Sequence, residues 1–249
     1  MQLLAVFMLF SALAVITSAS SPSPKPYVPA QDLEELAKLM PANALPSPSG
    51  LKLKFVVLGV GTQNYTCASG TESDAPSTSG ALARLYDIGT GLKDNPLAAE
   101  IIGCISPLAF FLGPSIEQLS LALRLRGFQH LLGHHFFHLS TPVFALDQLA
   151  QTPYPIAQVS KLRETKAPPS TFPGLAAVDS VNWLFLRDLN STSQGGVDTV
   201  YRVETVGGTK PATCEGQRPT FEVEYAAQCK LDVRSILIDL GMINDLGDE

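Results

Sequence analysis

Charge is scarce in this chain. Only 16% of its residues are Asp, Glu, Lys or Arg, and 17 cations face 23 carboxylates, for a net charge of −6. Cations this few and this scattered do not build the basic surface that nucleic acid or an anionic membrane requires. Long apolar runs are lacking too. Beyond the first 19 residues the longest candidate, 101–112, is interrupted by Pro107 and falls short of a bilayer's width. Catalytic signatures are missing as well. There is no Gly-x-Ser-x-Gly elbow and no His-Glu-x-x-His, and nothing pairs two of the scattered carboxylates for work on a glycoside. No internal repeat is visible.

What is present suits a globular β protein. Apolar residues make up 45% of the 249, enough for a sizeable core, while Gly 19 and Pro 19 point to a turn-rich fold. Residues 2–16 are almost wholly apolar and uncharged, and Thr17-Ser18-Ala19 offers the small residues of a cleavage site. This predicts a secretory signal peptide over 1–19 and an extracellular product with no membrane attachment after cleavage. The sequons Asn64-Tyr65-Thr66 and Asn190-Ser191-Thr192 supply glycosylation sites at Asn64 and Asn190. The four cysteines, Cys67, Cys104, Cys214 and Cys229, allow two disulfides in an oxidising compartment, with three connectivities.

Three stretches follow the leader. Residues 20–50 are Ser/Pro-rich with a short helix predicted over 31–40, closed by Pro41. From residue 51 the apolar period becomes two, and a β-rich domain is expected over 51–229, with a tail over 230–249. Strands are predicted at 51–57, 62–67, 81–88, 134–139, 157–163, 181–186, 199–206 and 221–225. One helix interrupts them. Ser115 and Gln118 form a capping-box pattern, and Ile116, Leu119, Ala122, Leu123 and Leu125 recur at helical spacing up to Gly127. The expected fold is a mainly β single domain, a β-sandwich or barrel-like sheet, with a short helical insertion near 116–126.

Two constellations invite chemistry. The first is Gly59-Val60-Gly61 after an apolar strand, the opening of a dinucleotide fingerprint. Its third small position is occupied by Asn64, and β-type sequence follows where a helix should point its N–H groups at pyrophosphate. The second is a histidine cluster, since all four histidines fall between His130 and His138. His134, His135 and His138 are the candidate metal ligands, because imidazole suits zinc or copper. On a strand, however, His134 and His138 share a face and His135 takes the other. No catalytic residue and no cofactor is assigned.

Several segments resemble a known family. They include the stretch from Leu58 to Cys67, Leu132-Gly133-His134-His135-Phe136-Phe137, Val181-Asn182-Trp183-Leu184, Val200-Tyr201-Arg202-Val203 with Gly207-Gly208, and Pro211-Ala212-Thr213-Cys214. In order and chemistry they are similar to the secreted, mainly fungal branch of domain-of-unknown-function family 3455. The resemblance implies a disulfide between Cys67 and Cys214 and supplies no catalytic residues. It leaves Cys104 and Cys229 as a second pair. The family's aromatic-rich ending is replaced here by Gln228-Cys229-Lys230-Leu231, which argues against a bridge there, and residues 113–131 look like extra sequence. Fungal members often carry the label malate dehydrogenase, which the incomplete fingerprint does not support. The expected function is binding of an extracellular partner, whether a small molecule, a wall polymer or a host component. The alternative is a metal-dependent or hydrolytic enzyme built on the three histidines.

Overall fold

The computed structural model describes residues 25–68, 71–169 and 178–234. The expected leader lies outside the described residues, as does the expected tail over 230–249 except for 230–234, which are the end of a strand. Nine antiparallel strands form one sheet. They are β1 Leu51–Thr66, β2 Ser77–Asp87, β3 Leu131–His138, β4 Thr141–Ala145, β5 Ile156–Gln158, β6 Ser160–Thr165, β7 Trp183–Arg187, β8 Thr199–Gly207 and β9 Thr220–Arg234. Their order is β5-β4-β3-β2-β1-β9-β8-β7-β6. The two edge strands are separated in the chain by Val159 alone. One segment therefore pairs with β4 through its first half and with β7 through its second, and the sheet curls into a near-barrel. The loop after β7 staples this seam. Gln194 bridges Ile156, and the Gln158 N–H donates to Ser193 Oγ at 2.9 Å.

β1 and β9 are the spine. They run antiparallel from Leu51 opposite Arg234 to Thr66 opposite Thr220. β1 was expected as two strands divided at Gly59-Val60-Gly61, but it passes straight through. Gly61 is needed for close approach, because a Cβ there would overlap the Leu82 carbonyl of β2. Gly133 plays the same part between β3 and β4, against the Ala145 carbonyl.

Alternation along each strand sorts the side chains. Phe55, Val57, Leu85, Leu132, Phe144, Val200, Cys229 and Leu231 belong to one buried cluster inside the barrel. On the outside, Val56, Leu58 and Ala226 are covered by helices α1 Glu34–Ala37, α2 Gly89–Lys93, α3 Ala98–Leu112 and α4 Ile116–Leu125. The predicted insertion is α4, with Ser115 Oγ accepting the Gln118 N–H at 3.4 Å. α3 was not expected, since Pro107 was read as a break. The helix continues through it, and the carbonyl that Pro107 leaves without a helical donor belongs to Gly103, which is exposed to water. No helix among the described residues is long and apolar enough to cross a membrane.

The N-terminal segment packs on the barrel. Leu33 and Leu36 join the helical cluster, Leu45 covers Trp183, and the Tyr201 hydroxyl donates to the Pro46 carbonyl at 3.0 Å. Beneath it lies Lys230, buried on the outer face of β9, with Nζ 3.4 Å from the Leu36 carbonyl. Burial pulls its pKa down to about 8 and pushes that of Asp232, two residues on, up to about 7.

A disulfide joins Cys67, at the end of β1, to Cys214 in the loop before β9, across 147 residues of chain. Cys104 and Cys229 are free, which corrects the second pairing. Alternation explains why they do not meet: Cys229 points into the barrel and Cys104 lies exposed on α3. Because the bridge closes a long loop in the unfolded chain, Cys67→Ser should cost about 2–5 kcal/mol in denaturant unfolding. Cys104→Ser should leave the midpoint unchanged, and equal stability of all three proteins would show the bridge to be idle.

Candidate functional site

The histidine cluster divides as strand geometry demands. His135 points inward from β3 and is buried, its ring stacked on Phe144 with centroids 4.1 Å apart. Its Nδ1 lies 2.8 Å from the Val143 carbonyl, which can only accept, so the proton sits on Nδ1. Burial pushes the His135 pKa down to about 4, and it is a neutral core residue at ordinary pH. His138 is exposed on the outer face, opposite Thr141. His130 stacks on Tyr27 at 3.6 Å. His134 faces outward, with Nδ1 3.0 and 3.2 Å from the two oxygens of Asp147. The three expected metal ligands are thus not brought together. Among the described residues no group of three or more His, Cys, Asp and Glu side chains could hold a metal.

His134 lines a groove of ≈ 460 Å³ on the outside of the barrel. Its floor is the outer face of β9, β1, β2 and β3, and its wall is the turn between α3 and α4. Register builds it. Val60 lies opposite Ala226 on one side and Arg84 on the other, Thr62 opposite Glu224 and Leu82, and Arg84 opposite His134. The covering helices stop short of this end of the sheet, so outward residues that are buried further along at Val56 and Leu58 give way to an open surface. Leu82 is 54% exposed on the floor and Ile116 55% exposed on the wall, alongside Phe110 and Leu119. The rim is charged. Arg84, Glu222 and Glu224 are exposed, with no hydrogen-bond or ion-pair partner among the described residues.

The arrangement suits capture of an amphipathic molecule: apolar side chains take its body and free charges orient it. His134 adds a fixed imidazole. Asp147 accepts from Nδ1–H, which leaves Nε2 as the available acceptor. Of these residues the histidine was visible as a candidate in the sequence. Glu222 and Glu224 were visible only as the water-facing half of an alternating strand, and Arg84 carried no local signal.

A second polar group sits inside the barrel. Arg202 of β8 has Nη2 2.8 Å from the Asn182 carbonyl and lies among Tyr65, Tyr225 and Cys229. Burial pushes the Cys229 thiol up to about 12, so it is no nucleophile. The Tyr65 hydroxyl donates to the Gly208 carbonyl, and Gly208 has φ +82° and leaves no room for a Cβ against Gln63 and Tyr225. These contacts tie β8 to β1 and explain the Gly207-Gly208 pair as packing.

The burial of His135 is measurable. In an NMR titration the His135 ring protons should shift with a midpoint near 4, because the buried imidazole resists protonation. For this group the sign is that of a depressed base: the unfolded state takes up its proton first, so its contribution to stability falls as pH drops from about 6.5 towards 4. A midpoint above 6 would mean that water reaches the ring.

Neither the curated proteins nor the solved structures contain a match to this chain. Residues 48–230 match the family described as protein of unknown function (DUF3455), from just before β1 to the middle of β9. The glycines that let strands close up, the inward His135 and Arg202, and both bridged cysteines all lie within that span, and the chain belongs to this family.

Proposed function

We propose that the protein is a secreted, glycosylated binding domain of the fungal branch of its family, and that its ligand lies in the outer groove. The observation that carries this reading is an apolar floor left open by the helices and ringed by unpaired charges. Export is supported by the apolar leader over 1–19 and by the Cys67–Cys214 disulfide, which belongs to an oxidising compartment. Asn190 is exposed in the loop after β7, a fitting place for a glycan, and Asn64 lies half-exposed on the outer face of β1. On this reading the domain over 51–229 is the working unit.

The partner is then a small molecule or a short exposed piece of an extracellular polymer, since the groove admits little more. A hydrolytic reading is favoured by one observation, the pairing of Asp147 with His134 on the groove floor, in which His134 could take a proton from water. One experiment separates the two. Nile red, an apolar dye, should bind the wild type, and Leu82→Asp, at an exposed position the fold tolerates, should weaken it about tenfold. Equal affinity in both proteins would remove the groove as the site. Turnover of a p-nitrophenyl ester that vanishes in His134→Ala would replace binding by hydrolysis.

A further inference from the structure

Arg84, Glu222 and Glu224, the charged side chains that line the groove, are segregated by sign along it, and the Asp147 carboxylate behind His134 is taken up by the imidazole. Arg84 on β2 marks one end, beside His134. Glu224 and then Glu222 on β9 mark the other. Register sets their separation. Arg84 shares a row with Val60, and Glu224 shares the next outward row with Thr62, so the two lie two strands and two residues apart. With strands about 4.8 Å apart and residues about 3.4 Å apart along them, their Cα atoms are about 12 Å from one another. The surface between is apolar, made of Val60 and Leu82 below and Phe110 and Ile116 beside them. The hydroxyl of Thr62 is occupied, donating to Asn64 Oδ1 at 3.0 Å.

Arg84 and Glu224 do not neutralise each other across this distance, and neither finds another partner among the described residues. A cation and an anion held apart by an apolar strip are complementary to a molecule with the reverse arrangement. Resting on the groove being the ligand site, we propose that it takes a short, extended, apolar peptide with both ends free. The peptide's carboxylate pairs with the Arg84 guanidinium and its ammonium with Glu224, while its side chains lie on Leu82, Phe110 and Ile116. An extended chain advances at most about 3.3–3.6 Å per residue, so about three residues bridge the two charges. Guanidinium and carboxylate are suited to a two-pronged pairing at one end, and an ammonium to a carboxylate at the other. Glu222, next along β9, strengthens the acidic end and fixes the peptide's direction.

Calorimetric titration with trileucine tests this, run against the same peptide acetylated at its amino end and amidated at its carboxyl end. The free peptide should bind, and each modification should weaken binding about tenfold. Arg84→Met should abolish the preference for the free carboxyl end while keeping that for the free amine, and Glu224→Gln should do the reverse. Both positions are exposed, so neither substitution threatens the fold. Capped and free peptides that bind alike would overturn the proposal and leave an apolar groove that still takes Nile red. No peptide binding alongside dye binding sensitive to Leu82→Asp would overturn it too. Loss of dye binding as well would sink the groove itself.

Discussion

The antiparallel pairing of β1 with β9 is the constraint on which the rest depends. The two longest strands lie side by side over almost their whole lengths. On the barrel side this pairing sets Phe55 opposite Leu231 and Val57 opposite Cys229, in the middle of the internal cluster. On the other side it sets Val56, Leu58 and Ala226 as the bed for the helices, and Gln228 reaches across to the Ile102 carbonyl of α3. The disulfide is anchored at one end of the ribbon and the N-terminal segment near the other. The groove is the part of the same outer face that the helices leave uncovered.

Where a strand has one wet face and one dry face, its sequence shows it. The alternation of Phe221, Val223 and Tyr225 with Glu222 and Glu224 marks β9, and the single α4 helix shows in the spacing of Leu119 and Leu123. The same strand becomes illegible beyond Ala226. There both faces are covered, one by the barrel and one by α1 and α3, so Gln228, Lys230 and Asp232 are buried as deeply as Cys229 and Leu231. A strand buried on two sides has no period to read. The glycines of β1 misled for a related reason. Gly59 and Gly61 look like punctuation in a sequence, whereas both lie within one continuous strand, and Gly61 is where the backbone of β2 presses against β1.

The candidate site was half legible for the same physical cause. Histidines advertise themselves by chemistry, and period two already separates His135 from His134 and His138. The partner that fixes His134, Asp147, comes from the turn after β4, and Arg84 comes from β2. Such a site is assembled by register between strands distant in sequence, and no local window contains it. The inward polar group around Arg202 is likewise a product of closure: Tyr65, Tyr225, Cys229 and Arg202 come from three strands and meet only once β8, β9 and β1 are paired.

The order of the sheet has one further consequence. Read around the barrel, the strands follow the chain without a single crossing, and the ring has two interruptions. Between β9 and β1 the covalent thread is broken and hydrogen bonds carry the ring across. Between β5 and β6 the ladder is broken and the thread carries it, through Val159. Each gap is bridged by the kind of bond that the other lacks. Among the described residues the sheet therefore offers a passing strand no long free edge to add to, the hazard that open β-sheets otherwise carry.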